Sequence, residues 1–127
     1  MDCPFCSPQI LEESVLQNEH CHFLQRKEPV LLGSGLVIPK RHCRTVFELN
    51  AQEWQATYNL LQEIRKMLDT KYQPDGYNLG WNCEAVAGQE IFHAHLHVIP
   101  RFADEPLAGR GIRYWLKQEI NRRTNVQ

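Results

Sequence analysis

The sequence has 127 residues, of which 43% are hydrophobic and 23% charged, and its formal net charge is −1 at pH 7. This length allows one domain with a hydrophobic core, and the composition excludes a disordered or collagen-like chain. The small net charge provides no general attraction to nucleic acid or to an anionic membrane, so neither is an expected partner and any anionic ligand needs a local site.

The N-terminal sequence MDCPFCSPQI has neither the basic nor the apolar region of a signal peptide. The chain also contains no apolar run that approaches the roughly 20 residues of a membrane helix. Its five cysteines, in a chain without a secretory signal, favour metal binding or free thiols over a disulfide framework. We therefore expect a soluble, cytoplasmic protein that forms one domain over residues 1–127.

Short β-like segments surround one long helical segment. In chain order they are SVLQN and CHFLQ (a hairpin or one bent strand), SGLVIP, YNLGWN and HAHLHVIP. Because strands outnumber crossover helices, we expect an α+β fold in which one main helix packs on an antiparallel sheet. The segment GIRYWLKQEINRR near the C terminus predicts a further, short helix.

The long helix is predicted over residues 50–72. Asn50 can cap its N terminus, and Glu53 follows at the spacing of a capping box. Apolar side chains recur at helical spacing, at Trp54, Tyr58, Leu61, Ile64 and Leu68. We expect this stripe to pack on the sheet, with Trp54 in the core or in a dimer interface.

Three histidines, His93, His95 and His97, alternate with small or apolar residues in HAHLHVIP. On a β-strand their side chains share one face, and neighbours lie roughly 6.6 Å apart. His93 and His97 would be about 13 Å apart at Cα, too far for joint ligation of one ion. We therefore expect the three imidazoles to have different functions.

Cys3 and Cys6 form a C-x-x-C step, which is one half of a zinc site. Two further ligands are needed, and His42 and His93 are the best candidates. A redox dithiol is the alternative, but that motif is expected between a strand and a helix of a βαβ unit rather than at an N terminus. We therefore expect a zinc site of two cysteines and two histidines, which would make His93 structural.

Together these motifs resemble those of the histidine-triad (HIT) superfamily. GQEIFHAHLHVIPR is similar to the family signature, and the resemblance extends through VIPKRH and CPFC to about Arg101. It implies a five-stranded antiparallel sheet with a long helix, and a homodimer with one site per subunit. It also implies hydrolysis or transfer of nucleotidyl groups, as in the dinucleoside polyphosphate hydrolases and nucleoside phosphoramidases of this family.

The resemblance implies that His95 is the nucleophile and that His97 orients or stabilises the phosphate. Neutral imidazole is a competent nucleophile at pH 7, because its ordinary pKa is near 6.5. Attack on the α-phosphorus would form a nucleotidyl-histidine, which water then hydrolyses. A backbone carbonyl is expected to accept the other ring N–H of His95 and so fix the tautomer.

The resemblance also implies roles for residues outside the triad. Asn82 and Gln89 match phosphate-contacting positions, and Phe5 matches a position that lines the nucleoside pocket. The zinc ligands of bacterial members correspond here to Cys3, Cys6, His42 and His93. Mg²⁺ is an expected companion of a polyphosphate substrate.

Three positions depart from the family pattern. Glu90 stands where Ser or Thr is common, and Glu84 stands where N-x-G has its glycine. Arg26 stands where an Asp often holds the ribose hydroxyls, unless Glu28 replaces that Asp after a local shift. The sequence therefore predicts the type of reaction better than it predicts the substrate.

Two alternatives remain open from the sequence. In the first, the triad binds a catalytic zinc ion and Glu90 acts as general base. In the second, the protein is a non-catalytic module that binds nucleotides or another protein.

Overall fold

The computed structural model describes residues 3–124, in which a long helix packs on a five-stranded antiparallel sheet. The strands are β1 (Leu16–Gln17), β2 (Cys21–Gln25), β3 (Gly35–Pro39), β4 (Gly76–Trp81) and β5 (Leu96–Arg101). The α-helices of the described residues are α1 (Pro8–Glu13) and α2 (Ala51–Tyr72). Single 3-10 turns lie at Pro4–Cys6, Val46–Glu48, Ala85–Ala87 and Glu119–Asn121. The α+β prediction is confirmed, and no helix within residues 3–124 is long and apolar enough to cross a membrane.

The strand order is β1-β2-β3-β5-β4, and each neighbouring pair is antiparallel. β1 and β2 form a hairpin in which Leu16 lies opposite Phe23, which decides between the two predicted arrangements of this region. His97 of β5 lies opposite Leu36 of β3 on one side and opposite Gly80 of β4 on the other. β5 is therefore an inner strand, whereas β4 forms an edge of the sheet.

The start of α2 confirms the predicted capping box. The Asn50 side chain accepts a hydrogen bond from the Glu53 N–H (2.8 Å), and the Glu53 carboxylate accepts one from the Asn50 N–H (2.9 Å). Arg41 also donates two 2.8 Å hydrogen bonds to Glu53, and its guanidinium lowers the pKa of that carboxyl. The N terminus of α2 is thereby tied to the segment after β3 that contains His42.

The buried face of α2 differs in part from the predicted apolar stripe. Its buried residues are Glu53, Ala56, Thr57, Leu60, Ile64 and Leu68. Trp54 and Tyr58 are instead 50% and 60% exposed, so Trp54 does not lie in the core. Neighbouring residues of a helix are only about 100° apart around its axis, so a shift of one position converts one apolar stripe into the other. The capping box and the Arg41 pair fix Glu53 in a buried position, and Trp54 and Tyr58 are turned toward solvent.

The sheet buries different side chains on its two faces. One face packs against α2 and contributes Phe23, Val37, Leu96 and Val98 to the main core. Neighbouring residues of a strand point to opposite faces, so Leu24 and Ile38 lie on the other face, where they pack with Phe5 of the N-terminal turn. His97 alternates with Leu96 and Val98, and it therefore lies on this second face.

The histidine motif begins before the regular strand. β5 starts at Leu96, so of the three histidines only the last lies within it, whereas His93 and His95 precede it. The prediction of one strand through all three was therefore wrong. The Ala94 N–H donates to the carbonyl of Cys43 (2.7 Å), which draws this segment away from β3 toward the loop after it.

The predicted C-terminal helix is also absent from the described residues. The segment forms turns, with one 3-10 turn at Glu119–Asn121. Arg101 donates to the carbonyls of Leu107 and Arg110 and so fixes the chain that leads into it. Trp115 is 65% exposed. Because so short a helix is marginal without tertiary packing, amphipathic sequence alone does not make this segment helical.

His22 is a buried histidine that the functional prediction does not use. It lies in β2, is 1% exposed, and its Nδ1 has no hydrogen-bond partner among the described residues. Burial lowers its pKa to about 4, with smaller contributions from Lys40 and His93. The folded protein therefore keeps this imidazole neutral.

We expect a His22→Leu variant to lose less stability than the parent protein between pH 7 and pH 5. The unfolded chain binds a proton at His22 below about pH 6.5, whereas the folded chain binds it only near pH 4. Falling pH thus favours unfolding through this residue, by about 2 kcal/mol at pH 5. Urea unfolding at both pH values measures the difference, with His20→Leu as control. Parallel pH dependence in the parent and His22→Leu would contradict the expectation.

Candidate active site and metal centre

Four ligand side chains from distant parts of the chain converge at the N-terminal turn. They are Cys3, Cys6, His42 and His93, and their ligand atoms all lie within 4.8 Å of one another. Nδ1 of His93 is 3.4 Å from Sγ of Cys3 and 3.2 Å from Nδ1 of His42, and Sγ of Cys6 is 3.3 Å from the same His42 atom. A tetrahedral zinc ion has ligand–ligand distances of roughly 3.4–3.8 Å. The four side chains therefore fit one tetrahedral metal ion.

His93 is oriented toward this cluster by the end of β3. Its Nε2 donates to the carbonyl of Pro39 (2.7 Å), which leaves the lone pair of Nδ1 directed at the cysteines. The residue is fully buried, and burial lowers its pKa. A neutral imidazole whose second nitrogen is bonded to a carbonyl is the usual state of a metal-ligating histidine.

His95 is oriented by the backbone of His93. Its Nδ1 donates to the His93 carbonyl (2.8 Å), so its Nε2 carries the lone pair. The ring centroids of Phe5 and His97 each lie 5.1 Å from that of His95, in edge-to-face contact. Burial, followed by the nearby His95, lowers the pKa of His97 and favours its neutral form, which can donate one N–H. The backbone acceptor that we expected for the His95 N–H is thus the carbonyl of His93.

Asn82 directly follows β4 and lies close to the histidine motif. Trp81 lies opposite Leu96, so the next position along β4 brings Asn82 toward His95. Its amide packs against Gly88, where a Cβ would lie 3.6 Å from Asn82 Nδ2. The φ of +100° at Gly88 also requires glycine.

Gln89 holds the loop over residues 82–92 together. Its Oε1 accepts from the Glu84 N–H (2.8 Å), and its Nε2 donates to the carbonyls of Arg44 (2.7 Å) and Ile91 (3.1 Å). The residue is 3% exposed. For the Gln89 amide to donate a hydrogen bond to a phosphate, its hydrogen bond to the carbonyl of Arg44 or of Ile91 would have to break.

Sequence reasoning did not identify Arg44, which contacts the same loop at several points. Its guanidinium forms an ion pair with Glu84 at 2.9 Å and lies 4.3 Å above the ring of Phe92. The pair lowers the pKa of the Glu84 carboxyl. The available signal was Glu84 itself, because a charged residue in place of a glycine suggests a compensating partner.

The other departures from the family pattern lie at the edges of the site. Glu90 is exposed and lines a cavity of about 590 Å³ together with Cys3, His42 and Arg44. Arg26 is also exposed. The Glu28 carboxylate accepts from the Val30 N–H (3.2 Å) within the loop before β3.

The HIT domain matches residues 7–104 of this chain. An uncharacterised 16.1 kDa HIT-like protein of Mycoplasma pneumoniae is 34% identical over 126 residues, which is 95% of this chain and 83% of that protein. The chain therefore belongs to the HIT domain family.

Solved structures of this family share the fold. A HIT family protein from Bacillus anthracis is 31% identical, with a TM-score of 0.72 over 81% of this chain and 75% of that one. A zinc-bound histidine-triad protein from Mycobacterium smegmatis is 27% identical, with a TM-score of 0.72 over 87% of this chain and 83% of that one.

Two similar proteins are named as enzymes. The adenylylsulfatase HINT3 of Arabidopsis thaliana is 33% identical over 79% of this chain, which spans about half (52%) of that protein. A bis(5'-adenosyl)-triphosphatase of Dictyostelium discoideum is 29% identical over 80% of this chain and 69% of its own length. The family thus includes hydrolases of nucleotidyl conjugates.

Proposed function

We propose that the protein hydrolyses or transfers nucleotidyl groups, with His95 as the nucleophile that attacks the α-phosphorus. The observation that carries this proposal is the hydrogen bond from His95 Nδ1 to the His93 carbonyl. It selects the tautomer in which Nε2 has a free lone pair, next to His97. The two enzyme-named relatives support the class of reaction, since an adenylyl sulfate and a bis(5'-adenosyl) triphosphate both have an electrophilic α-phosphorus.

The reaction proceeds in two displacements. Nε2 of His95 forms a bond to the α-phosphorus while the bond to the leaving group breaks, and the leaving group departs with that electron pair. The product is a nucleotidyl-histidine. Water then attacks the same phosphorus and releases a proton to solvent, the P–N bond breaks with its electron pair returning to Nε2, and the nucleoside monophosphate leaves with His95 restored. Covalent catalysis of this kind replaces one difficult step by two easier ones.

The phosphate is stabilised by neutral donors in this proposal. His97 donates an N–H, and we assign Asn82, which follows the residue paired with Leu96, as the amide donor. We assign Gln89 to the phosphate site as the residue that shapes the loop. It could contact the phosphate directly only if its amide gave up its hydrogen bond to the carbonyl of Arg44 or of Ile91. Phe5 lines the nucleoside side of the site through its contact with the His95 ring.

Structural zinc is the metal that we propose for Cys3, Cys6, His42 and His93. The zinc-bound relative and the tetrahedral spacing of the ligand atoms support it. Four protein ligands would close the coordination sphere, and a closed sphere supplies stability rather than a water nucleophile. His95 and His97 lie outside this ligand set, which favours covalent catalysis over the alternative of a catalytic zinc ion.

The relatives that are named as enzymes act, by their names, on anhydrides, but nothing in the site geometry excludes a phosphoramidate. A nucleoside phosphoramidase therefore remains a second candidate activity of the same site, and a non-catalytic nucleotide-binding module is the alternative without turnover. Mg²⁺ with a polyphosphate substrate, a cytoplasmic location and one domain over residues 1–127 stay predictions, the last supported by the HIT match over residues 7–104.

We propose a homodimer in which the β4 edges of two copies meet. Leu79 of β4 is 45% exposed, and Trp54 and Tyr58 of α2 are also exposed. Trp54 contacts Trp81 of β4 edge-on at 6.1 Å, so an exposed aromatic side chain of α2 packs against the edge strand. An unpaired edge strand that exposes an apolar side chain is a site at which a second sheet can pair.

We expect His95→Ala to lower kcat/KM at least about 1,000-fold, because the covalent route is lost. Bis(5'-adenosyl) triphosphate, adenylyl sulfate and adenosine 5'-phosphoramidate are suitable substrates. Alkaline quench and intact mass spectrometry should detect a nucleotidyl adduct on the parent protein and none on the variant. His20→Ala is the matched histidine control. Activity of His95→Ala within about tenfold of the parent would refute the nucleophile, and no turnover of any substrate by the parent would favour a binding module.

Cys6→Ser and His42→Ala should each reduce zinc from one ion per chain to a small fraction after dialysis against a chelator. Loss of a structural ion should also lower the melting temperature by about 10 °C. Elemental analysis and thermal unfolding measure these effects, with Cys83→Ser as the control. If both variants retained zinc and His95→Ala lost it, the metal would belong to the triad.

Leu79→Glu should convert a dimer, with twice the 14.9 kDa mass of the chain, into a monomer. The added carboxylates would lie in the apolar contact and repel each other across it. Light scattering after gel filtration gives the mass. Val15→Glu is a matched control, because Val15 is equally exposed (45%) but lies before β1, the opposite edge strand. A dimer that survives Leu79→Glu but dissociates with Val15→Glu would place the interface at β1.

A further inference from the structure

The loop between β4 and the histidine motif contains a residue in a backbone conformation that normally requires glycine. Glu84 has φ 77° and ψ 160°, a backbone conformation that residues other than glycine almost never adopt. The other non-glycine residue with positive φ among those described is Gln73, which ends α2 in an ordinary left-handed conformation. Glu84 therefore needs specific contacts to keep its conformation.

The side chain of Arg44 supplies one set of these contacts. Its Nη2 and Nε atoms donate to Oε1 of the Glu84 carboxylate at 2.9 and 3.1 Å, and Nε also lies 3.2 Å from Oε2, so the guanidinium contacts both carboxylate oxygens. The backbone of Glu84 is held separately, because its N–H donates to Gln89 and its carbonyl accepts from the Gln89 N–H (3.2 Å). The side chain and the backbone of Glu84 are thus attached to different partners.

Arg44 connects this loop to the metal centre. Its backbone carbonyl accepts from Gln89, its guanidinium packs on Phe92, and its N–H donates to the Glu48 carboxylate (2.8 Å). It follows the proposed metal ligand His42 by two positions. Phe92 directly precedes His93. Arg44 therefore contacts Glu84 near the beginning of the loop, Phe92 at its end, and Gln89, whose hydrogen bonds hold the loop together.

We propose that Arg44 is a positioning residue, whose ion pair with Glu84 holds the loop over residues 82–92 in the geometry needed for phosphate binding. This inference rests on the proposed function, because Asn82 and Gln89 are the phosphate-site residues that the loop carries. Without the arginine, the strained backbone of Glu84 is held only by its two hydrogen bonds with Gln89, and we expect the loop to shift. A displacement of about 1 Å at a reacting group can reduce the rate about 100-fold.

Arg44→Gln should lower kcat about 30-fold and change KM much less, because the loop no longer completes the transition-state geometry. Glu84→Gly should stay within about threefold of the parent, since glycine adopts φ 77° without a partner. The Arg44→Gln/Glu84→Gly double variant should then recover kcat to within about fivefold of the parent. Rescue by a second substitution is expected only if the arginine acts through the conformation of residue 84.

Arg65→Gln is the matched control, because Arg65 forms an exposed ion pair with Asp69 within α2, outside the site. Zinc content should be unchanged in all four variants. Hydrogen exchange of the peptide that spans residues 84–91 should rise in Arg44→Gln and return to the parental rate in the double variant. Binding of adenosine monophosphate, measured by calorimetry, should follow the same order.

A double variant as impaired as Arg44→Gln would overturn the positioning role, as would unchanged kcat in Arg44→Gln. If the parent itself hydrolyses no nucleotidyl substrate, the proposed function fails while this inference is still decided by exchange and nucleotide binding. Parental exchange rates at residues 84–91 in Arg44→Gln would then refute it. Increased exchange and weaker binding, both reversed by Glu84→Gly, would support it without turnover.

Discussion

His93 makes three directed contacts on which the arrangement of the site depends. One ring nitrogen faces the cysteines and His42, the other is bonded to the carbonyl of Pro39, and its own carbonyl accepts from His95. Each of these contacts has a preferred direction, so together they fix the orientation of both the ring and the backbone of His93. The proposed metal centre and the proposed nucleophile His95 thus both depend on His93, although His95 is not one of the four candidate metal ligands. Any movement of His93 would also rotate the ring of His95.

The histidines of the motif provide little positive charge at the proposed phosphate site. Burial lowers the pKa values of His93 and His97, and the chain as a whole has a formal charge of −1. The nearby arginines are already paired, Arg41 with Glu53 and Arg44 with Glu84. The affinity of the proposed site for a phosphate must then come from N–H groups in fixed positions rather than from a positive electrostatic potential at the surface. Such a site is sensitive to small displacements, because a hydrogen bond weakens steeply with misalignment.

Local sequence signals predicted those parts of the molecule that depend on neighbouring residues. The capping box of Asn50 and Glu53 and the C-x-x-C step are examples, since each requires residues only three positions apart. The face of α2 that packs on the sheet was not predictable, because Trp54 and Tyr58 fit an apolar stripe as well as the buried residues do. The choice is made by Arg41, which comes from another part of the chain.

The start of β5 shows the same limit. Alternation of histidine and apolar residues predicts a strand from His93, yet regular pairing begins at Leu96. Ala94 is bonded to Cys43 instead, and nothing in the local pattern reveals that long-range partner. The placement of His93 in the cluster with Cys3, Cys6 and His42 was nevertheless predicted from the sequence, whereas the different functions of the three histidines stay a proposal.

The replacement of a glycine by Glu84 illustrates how a loop without strand pairing can acquire a defined shape. Glycine would adopt φ 77° freely, but it would also allow many other conformations and lose more entropy on ordering. A glutamate costs conformational strain and restricts those alternatives, and its carboxylate provides a point of attachment for Arg44. The loop conformation then depends on a side-chain ion pair in addition to the backbone. Because Arg44 also supports Gln89 and packs on Phe92, the strain at one residue is balanced by contacts spread over the whole loop.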